Sequence, residues 1–190
     1  MLMSTVWSAF GSVVGMFYAG MQVMVPGLPP APLSTSVFKS DKYMGSWHFV
    51  AAAVWDEDDL KSFLTTDSSM LHIQRGDDDT LTVTESARVG DQCQKSTWSY
   101  STWFVTDPFL FRSDYDTIAL VWDGSFVNCS SCIVILFADE EEEISAMLFA
   151  RDEKTPDEVI QNFKSKMEDV YMEDFYKAPL QKGYCKLEAA

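Results

Sequence analysis

The 190-residue sequence predicts an all-β fold, an eight-stranded up-and-down antiparallel barrel with one C-terminal α-helix packed outside it. About eight short strand-like segments follow one another with polar turns between them, which leaves little room for crossover helices. The aromatic fraction of 14% favours strands and a large apolar interior. A barrel of about eight strands is just wide enough for one small ligand.

The predicted elements can be justified in chain order. Ser46–Val54 is the first strand, and Asp56–Phe63 is a short helical turn or lid with Leu60 and Phe63 on one face. In Thr80–Val89 the residues alternate, so that Leu81, Val83 and Glu85 share a face. The other predicted strands are Ser69–Arg75, Gln92–Thr102, Phe109–Ser113, Ile118–Trp122, Cys132–Ala138 and Ile144–Arg151.

One α-helix is predicted after the last strand. Thr155-Pro156-Asp157-Glu158 reads as a capping box with proline at the first helical position. An apolar stripe follows at helical spacing and is predicted to pack on the outside of the barrel. The stripe consists of Val159, Ile160, Phe163, Met167 and Val170.

Three segments make up the predicted domain organisation. Residues 1–25 contain no charged side chain and are interpreted as a signal sequence, either cleaved or retained as a hydrophobic anchor. Residues 26–40 are a Pro-rich linker, because their prolines break any helix. Residues 41–190 form the barrel domain. The signal sequence predicts a secreted, extracellular protein.

The formal net charge of −15 limits the possible partners. It argues against nucleic acid, whose phosphates require Lys and Arg, and against charge-driven docking onto anionic membranes. The acidic runs at 56–59, 77–79 and 139–143 lack the glycine and spaced oxygen ligands of a calcium loop and are interpreted as solvated turns. Two histidines and one CxxC make no zinc site, so no metal or cofactor is predicted.

Four cysteines beside a signal sequence indicate disulfides, with three possible pairings. Cys129 and Cys132 also form a CxxC motif, but a redox site needs that motif at a helix start and an apolar strand-like run follows it here. Asn128 begins the sequon Asn128-Cys129-Ser130, a weak glycosylation site because cysteine holds the middle position.

The order of these features resembles the lipocalin family of small secreted barrels that carry apolar ligands. A Gly-x-Trp at Gly45–Trp47 opens the first strand, Arg151 closes the last, and a helix and a cysteine-bearing tail follow. On its own, Gly-x-Trp equally fits a turn glycine beside a core tryptophan. The resemblance implies that Arg151 stacks over Trp47 to close the barrel base. It also implies a disulfide between Cys93 and Cys185.

A narrower resemblance, over most of residues 1–188, is to the apolipoprotein M family. It implies that Trp98 and Tyr100 line the pocket, as residues two apart on one strand share a face. It places Glu140 near the family's acidic pocket residue. It leaves Cys129 and Cys132 to pair with each other or to stay free. The similar segments are Met44–Phe63, Gly90–Cys93, Ser130–Cys132 and Thr155–Ser165.

The resemblance implies carriage of a small amphipathic lipid, sphingosine-1-phosphate or a fatty acid, by a monomer that associates with high-density lipoprotein. The acyl chain is expected against Trp47 and Trp98. Ser96 stands where the family has an arginine, so Arg112 or Lys95 is expected to supply the positive charge for the lipid head.

An enzyme similar to lipocalin-type prostaglandin D synthase is the alternative. Its nucleophilic cysteine follows Ser-Met, and this chain has Leu71 at that position. Thiol chemistry requires a thiolate, so no catalytic residue is predicted. His48 and His72 show no serine or cysteine partner in the sequence. A protein-binding lipocalin is a third possibility.

Overall fold

The computed structural model describes residues 30–77, 80–101, 108–112, 117–138 and 144–185. Nine strands and three α-helices lie within these ranges. The strands are β1 Gly45–Val54, β2 Thr66–Arg75, β3 Thr80–Val89, β4 Gln92–Ser101, β5 Phe109–Arg112, β6 Thr117–Asp123, β7 Cys132–Ala138, β8 Ile144–Ala150 and β9 Asp174–Lys177. The α-helices are α1 Thr35–Phe38, α2 Glu57–Leu64 and α3 Asp157–Glu168, and 3₁₀ helices span Asp41–Tyr43 and Gly124–Val127.

The first eight strands form a closed antiparallel barrel, as the sequence predicted. Each strand pairs with the next, and β1 closes the barrel by pairing with both β8 and β2. The β1–β2 pairing covers only Gly45–His48. On the same edge of β1, the residues Ala51–Val54 pair with β9 instead of β2. The C-terminal segment therefore completes the wall where β2 leaves β1.

Two apolar clusters lie on opposite sides of the barrel wall. The interior cluster includes Trp47, Leu71, Leu81, Ile133 and Phe149, all at most 4% exposed. The outer cluster lies under α3, where the predicted apolar stripe packs as expected. It includes Ala51, Ala53, Ala146, Ala150, Val159, Ile160, Phe163 and Met167. Small residues on β1 and β8 let the helix approach the sheet closely.

The start of α3 corrects the sequence prediction. Pro156 is the N-cap, with φ −57° and ψ 140°, so the helix begins at Asp157 rather than at the proline. Thr155 then lies before the cap, and its buried hydroxyl has no hydrogen-bond partner among the described residues. The predicted capping box is wrong because an extended proline ψ moves the first helical turn one residue further on.

The segment before β1 also packs on the barrel. Leu33 N–H donates to Val121 O (2.7 Å), and Trp122 Nε1 donates to Pro30 O (2.6 Å). Phe38, at the end of α1, is 3% exposed and belongs to the interior cluster. Within the described residues, no helix combines the length and apolar character needed to cross a bilayer.

Candidate functional site

The Gly45 end of the barrel is closed by one tryptophan and one arginine. The Arg151 guanidinium carbon lies 3.6 Å from the centre of the Trp47 ring. Its Nη atoms donate to the carbonyls of Lys42, Met44 and Ser46, each at 2.7 Å. Trp47 Nε1 donates to Tyr43 O at 2.9 Å. Burial lowers the pKa of Arg151. Charge-assisted bonds and ring stacking together seal this end.

Gly45 has the backbone conformation that this closure requires. Its φ of +91° lies in the region that favours glycine, and a Cβ there would meet Arg151 Nη1 at 3.4 Å. A side chain at position 45 would therefore be strained by its backbone conformation, with its Cβ in van der Waals contact with the guanidinium. The Gly-x-Trp pattern thus supplies the tight turn at Gly45 and the Trp47 ring that fills the closed end of the barrel.

An apolar cavity of about 20 Å³ lies in the barrel interior. Its wall comes from β2 to β7 and from α1. Trp98 and Tyr100 line it, as the resemblance implied, and Trp47 lies outside its lining at the closed end. The other lining residues are Phe38, Leu71, Ile73, Leu81, Val83, Leu110, Ala119, Ile135 and Phe137.

Arg112 and Trp98 meet on the interior wall. The Arg112 guanidinium carbon stands 4.8 Å from the centre of the Trp98 ring. Strand pairing explains the contact, because Phe111 pairs with Ser101 and places the next residue, Arg112, beside β4. Trp98 Nε1 is buried and has no hydrogen-bond partner within the described residues. The structure thus places a cation and a buried donor beside an apolar cavity.

Lys95 does not join this group. It is exposed and pairs with Ser86. Trp98, which lines the cavity, lies three residues after Lys95 on β4. Side chains an odd number of residues apart on a strand point to opposite faces, so Lys95 faces outward. The expectation that Lys95 could supply the head-group charge is therefore wrong. Glu140 lies outside the described residues.

Glu85 is an inward-facing residue that the sequence analysis did not assign to the site. Ser69 Oγ donates to Glu85 Oε1 at 2.6 Å. In register, Glu85 faces Leu71 on β2 and Ser96 on β4. The sequence did contain a signal for this residue. Glu85 is a carboxylate that follows Leu81 and Val83 at spacings of two, so it shares their face of the strand.

Helix α2 covers the opposite, open end of the barrel. Its N-cap Asp56 accepts a hydrogen bond from Asp58 N–H at 2.8 Å. Phe63 stacks on Phe49, with ring centres 6.1 Å apart, and lies 6.2 Å from the Tyr176 ring. Tyr176 in turn donates its hydroxyl hydrogen to Thr66 O, and burial raises its pKa. The helix predicted as a lid therefore rests on aromatic contacts.

All four cysteines form disulfides. Cys93 bonds to Cys185 with an S–S distance of 1.98 Å, and Cys129 bonds to Cys132 at 1.92 Å. Leu71, at the position of the synthase nucleophile, is 4% exposed and lines the cavity. The chain therefore presents no thiol for the thiolate chemistry of the alternative enzyme.

His72 has a serine partner that the sequence did not reveal. Its Nδ1 lies 3.0 Å from Ser46 Oγ, because the two residues pair across β1 and β2. The neighbouring Trp47 and Leu71 face inward, so this pair lies on the outer surface. His48 Nδ1 contacts Arg151 O at 3.0 Å. No acidic residue among those described bonds to either ring.

The Asn128 sequon lies on the surface turn between β6 and β7. Asn128 is exposed and has φ 57°, and its N–H donates to Ser125 O. Ser131 lies between the bonded cysteines in this turn, and its hydroxyl donates to Cys129 Sγ at 3.7 Å. Among the described residues, no group of three or more His, Cys, Asp or Glu could hold a metal ion.

Comparisons with known proteins place the chain in a family. Three solved structures have the same fold: the siderocalin Ex-FABP (17% identity, 76% of this chain and 98% of that one, TM-score 0.63); the siderocalin Q83 (20%, 76% and 93%, 0.61); and lipocalin 12 from rat epididymis (16%, 83% and 94%, 0.64). A comparison with curated proteins found no significant match. The ApoM domain model matches residues 2–189. The chain therefore has the lipocalin fold and belongs to the ApoM domain family.

Proposed function

We propose that this lipocalin is a secreted carrier of sphingosine-1-phosphate or a fatty acid and associates with high-density lipoprotein. The observation that carries the proposal is the Arg112 guanidinium over the Trp98 ring, 4.8 Å from its centre, at the wall of an apolar cavity. An apolar interior with a few placed polar groups is typical of small-ligand sites. The acyl chain would lie in the interior and the anionic head beside Arg112.

Burial of the acyl chain supplies most of the binding free energy. Each square ångström of apolar surface removed from water contributes about 25 cal/mol. The cavity of about 20 Å³ is far smaller than the roughly 300–1,000 Å³ of typical ligand pockets. Binding therefore requires the lining side chains to move. Helix α2 is suited to such movement, because none of its residues is fully buried.

The anionic head group requires a cation and hydrogen-bond donors. Arg112 supplies the charge, and Trp98 Nε1 is a buried donor without a partner among the described residues. Ser96 stands at the position of the family's arginine, so a phosphate meets one fewer cation here. Because a charge-assisted hydrogen bond contributes about 1.5–3 kcal/mol, this replacement lowers phosphate affinity by about ten- to a hundredfold.

Titration of tryptophan fluorescence tests the lipid-carrier proposal. Purified protein receives either sphingosine-1-phosphate or a long-chain fatty acid, and both are expected to quench. Trp98→Ala should weaken both ligands, whereas Arg112→Ala should weaken mainly the phosphate ligand. Lys95→Ala is the matched control for Arg112→Ala, since it removes a cation from the outer face of the neighbouring strand β4. If neither lipid binds at micromolar concentration, the carrier proposal fails.

The lipoprotein association is proposed to depend on residues 1–25, retained as a hydrophobic anchor. The run carries no charge and is followed by a Pro-rich spacer, whereas the whole chain has a net charge of −15. Sequencing the N-terminus of the secreted protein distinguishes retention from cleavage. A mature chain that begins between about residues 22 and 33 would contradict the anchor.

Carriage rather than catalysis is the proposed activity. All four cysteines are in disulfides, and the synthase nucleophile position is Leu71. The Ser46–His72 contact lies on the outer surface, away from the cavity. We further propose that the protein acts as a monomer and binds no nucleic acid, in keeping with its acidic charge. Sedimentation of the purified protein tests the monomer.

A further inference from the structure

The three most exposed large apolar side chains among the described residues lie at one end of the barrel. They are Tyr171, Leu64 and Trp55, which are 81%, 60% and 53% exposed. Trp55 directly follows β1, Leu64 ends α2, and Tyr171 lies between α3 and β9. Since β9 begins beside the end of β1, all three positions belong to the open end. Exposed apolar side chains gathered in one place are typical of an interaction surface.

Tyr171 has a backbone conformation that disfavours tyrosine. Helix α3 ends in a Schellman motif, in which Met172 N–H donates to Met167 O and Tyr171 N–H donates to Glu168 O, each at 3.0 Å. Tyr171 has φ 65°, at the position of the motif where glycine is usual. Its ring gains little packing in return, because it is the most exposed of the three. Such strain without a gain in packing points to a functional role.

Trp55 is held beside Tyr171. Its Nε1 donates to Val170 O at 3.2 Å, so the indole lies against the residue that precedes Tyr171. The polar group of the ring is thus bonded within the protein, while about half of the side chain faces solvent. A ring that is already fixed loses little conformational freedom when a partner binds it. We call Trp55 and Tyr171 the rim pair.

The segments that contain the rim pair are acidic. Residues 56–59 are four consecutive carboxylates, residues 168–174 contain four more, and neither segment has a lysine or arginine. Neighbouring lysines pair with three of these carboxylates. Glu57 and Glu173 are exposed, and within the part of the chain that is described neither forms an ion pair. Anionic lipid would therefore be repelled here, whereas a quaternary ammonium group is attracted by carboxylates and by aromatic faces.

We propose that the rim pair is a docking surface by which the open end of the barrel contacts a phosphatidylcholine surface. The two rings would enter the head-group region, where tryptophan and tyrosine are favoured. The surrounding carboxylates would face the trimethylammonium groups, the outermost part of such a surface. The inference goes beyond the carrier function. It depends neither on the identity of the cargo nor on retention of residues 1–25.

Quenching by brominated phosphatidylcholine vesicles tests the docking surface, because bromine quenches only tryptophans that touch the lipid. The quenching that Trp55→Phe removes is the part due to Trp55, and it is measured in the same way in each variant. Tyr171→Gly should reduce this part about tenfold at subsaturating lipid. Val37→Ser is the matched control and should leave it unchanged, since Val37 is 47% exposed on α1, at the closed end.

Two further measurements separate docking from other causes. Urea denaturation should show Tyr171→Gly to be no less stable than wild type, because glycine relieves the strain at that position. A loss of stability would show that the tyrosine supports the helix end and would overturn its assignment to docking. Brominated phosphatidylglycerol with the same acyl chains should quench Trp55 less, even in high salt that screens repulsion. Equal quenching would show that apolar insertion alone is at work and would overturn the choline preference.

The result also separates this inference from the proposed anchor. If the protein binds vesicles while Trp55 is not quenched, residues 1–25 account for the binding and the docking surface is wrong. The same conclusion follows if Val37→Ser loses as much Trp55 quenching as Tyr171→Gly. Neither outcome bears on the carrier function, which is measured with lipid ligands in the absence of vesicles.

Discussion

The two ends of the barrel are held together in different ways. At the closed end, one guanidinium makes three backbone hydrogen bonds of 2.7 Å and covers the buried Trp47 ring. At the open end, α2 contributes no fully buried residue, and the ion pair of Lys182 with Asp91 is largely exposed. Regions with few buried contacts open most readily. We therefore expect ligand exchange at the open end, with the closed end as the fixed base.

Each end also contains one disulfide, and the two differ in span. Cys93–Cys185 fastens the C-terminal tail near the open end and joins residues 92 apart. Cys129–Cys132 lies at the closed end and joins residues 3 apart. Because a cross-link stabilises mainly by restricting the unfolded chain, the long span has the larger effect. The open end thus depends on a covalent link and the closed end on packing.

Removing the long-span disulfide is expected to have the largest effect. Cys93→Ser with Cys185→Ser should lower the free energy of unfolding by about 4 kcal/mol, against about 2 kcal/mol for Cys129→Ser with Cys132→Ser. Urea denaturation of both double variants measures the difference. Equal losses would show that the span of the cross-link does not set its contribution.

Arg151→Gln should be the next most damaging change. It removes three charge-assisted hydrogen bonds and the contact with Trp47, so we expect a loss of about 3 kcal/mol in unfolding free energy. Arg88→Gln is the open-end control, where a single exposed bond joins Arg88 Nε to Gly183 O. That variant should lose less than about 1 kcal/mol. A larger loss at Arg88 would reverse the comparison of the two ends.

Acid should weaken the closed end through Asp123. Burial raises the pKa of this carboxyl, but hydrogen bonds from Lys42, Ser125 and Tyr43 outweigh burial and lower the pKa to about 2. Stability from this group is therefore complete above the unfolded pKa of about 3.9 and is lost as pH falls through about 2. The full contribution is about 2 kcal/mol.

Asp123→Asn tests this pH dependence. The variant should unfold more easily than wild type at pH 7, and the difference should shrink between about pH 4 and pH 2. Asp91→Asn, at an open-end pair whose carboxylate is 91% exposed, is the control and should show a much weaker pH dependence. A difference at Asp123 that stays constant with pH would exclude the ionic contribution.

Phe63→Ala on α2 should have the smallest effect on stability, about 1 kcal/mol, because Phe63 is only partly buried. Its main effect should be on ligand exchange, as the ring contacts to Phe49 and Tyr176 hold the lid. Stopped-flow fluorescence should show faster lipid dissociation. Leu64→Ala, at a 60% exposed position of the same helix, should leave the dissociation rate unchanged.

Most of the barrel could be predicted because its signals are local. Alternation placed β3 at Thr80–Val89, and a continuous apolar run placed β7 at Cys132–Ala138, the bounds that the structure has. The fourth strand is described as far as Ser101, and Thr102, the predicted end, lies outside the described residues. By contrast, Asp174–Lys177 has too few residues to show alternation, and its pairing partner β1 lies more than a hundred residues earlier in the chain. Short-range patterns cannot reveal that strand.

The part of the candidate site that lies on a single strand could be predicted from the sequence. Trp98 and Tyr100 are two residues apart, so their shared face followed from the period of a strand. The contact of Arg112 with Trp98 depends on the register between β4 and β5, and the Ser69–Glu85 bond depends on that between β2 and β3. The sequence contains no local mark of either register. The Ser46–His72 pair could not be predicted for the same reason, because it depends on the register between β1 and β2.

The position of β9 beside β1 has a consequence for how the protein is made. Half of one edge of β1 pairs with a strand that begins only at Asp174, and Cys93 forms its disulfide with Cys185. Synthesis proceeds at about 5–20 residues per second, so these partners emerge many seconds after β1. Throughout that interval the nascent chain carries an unpaired strand edge and a free thiol. We therefore expect the incomplete barrel to be more prone to aggregation and to wrong disulfide pairing than the finished one.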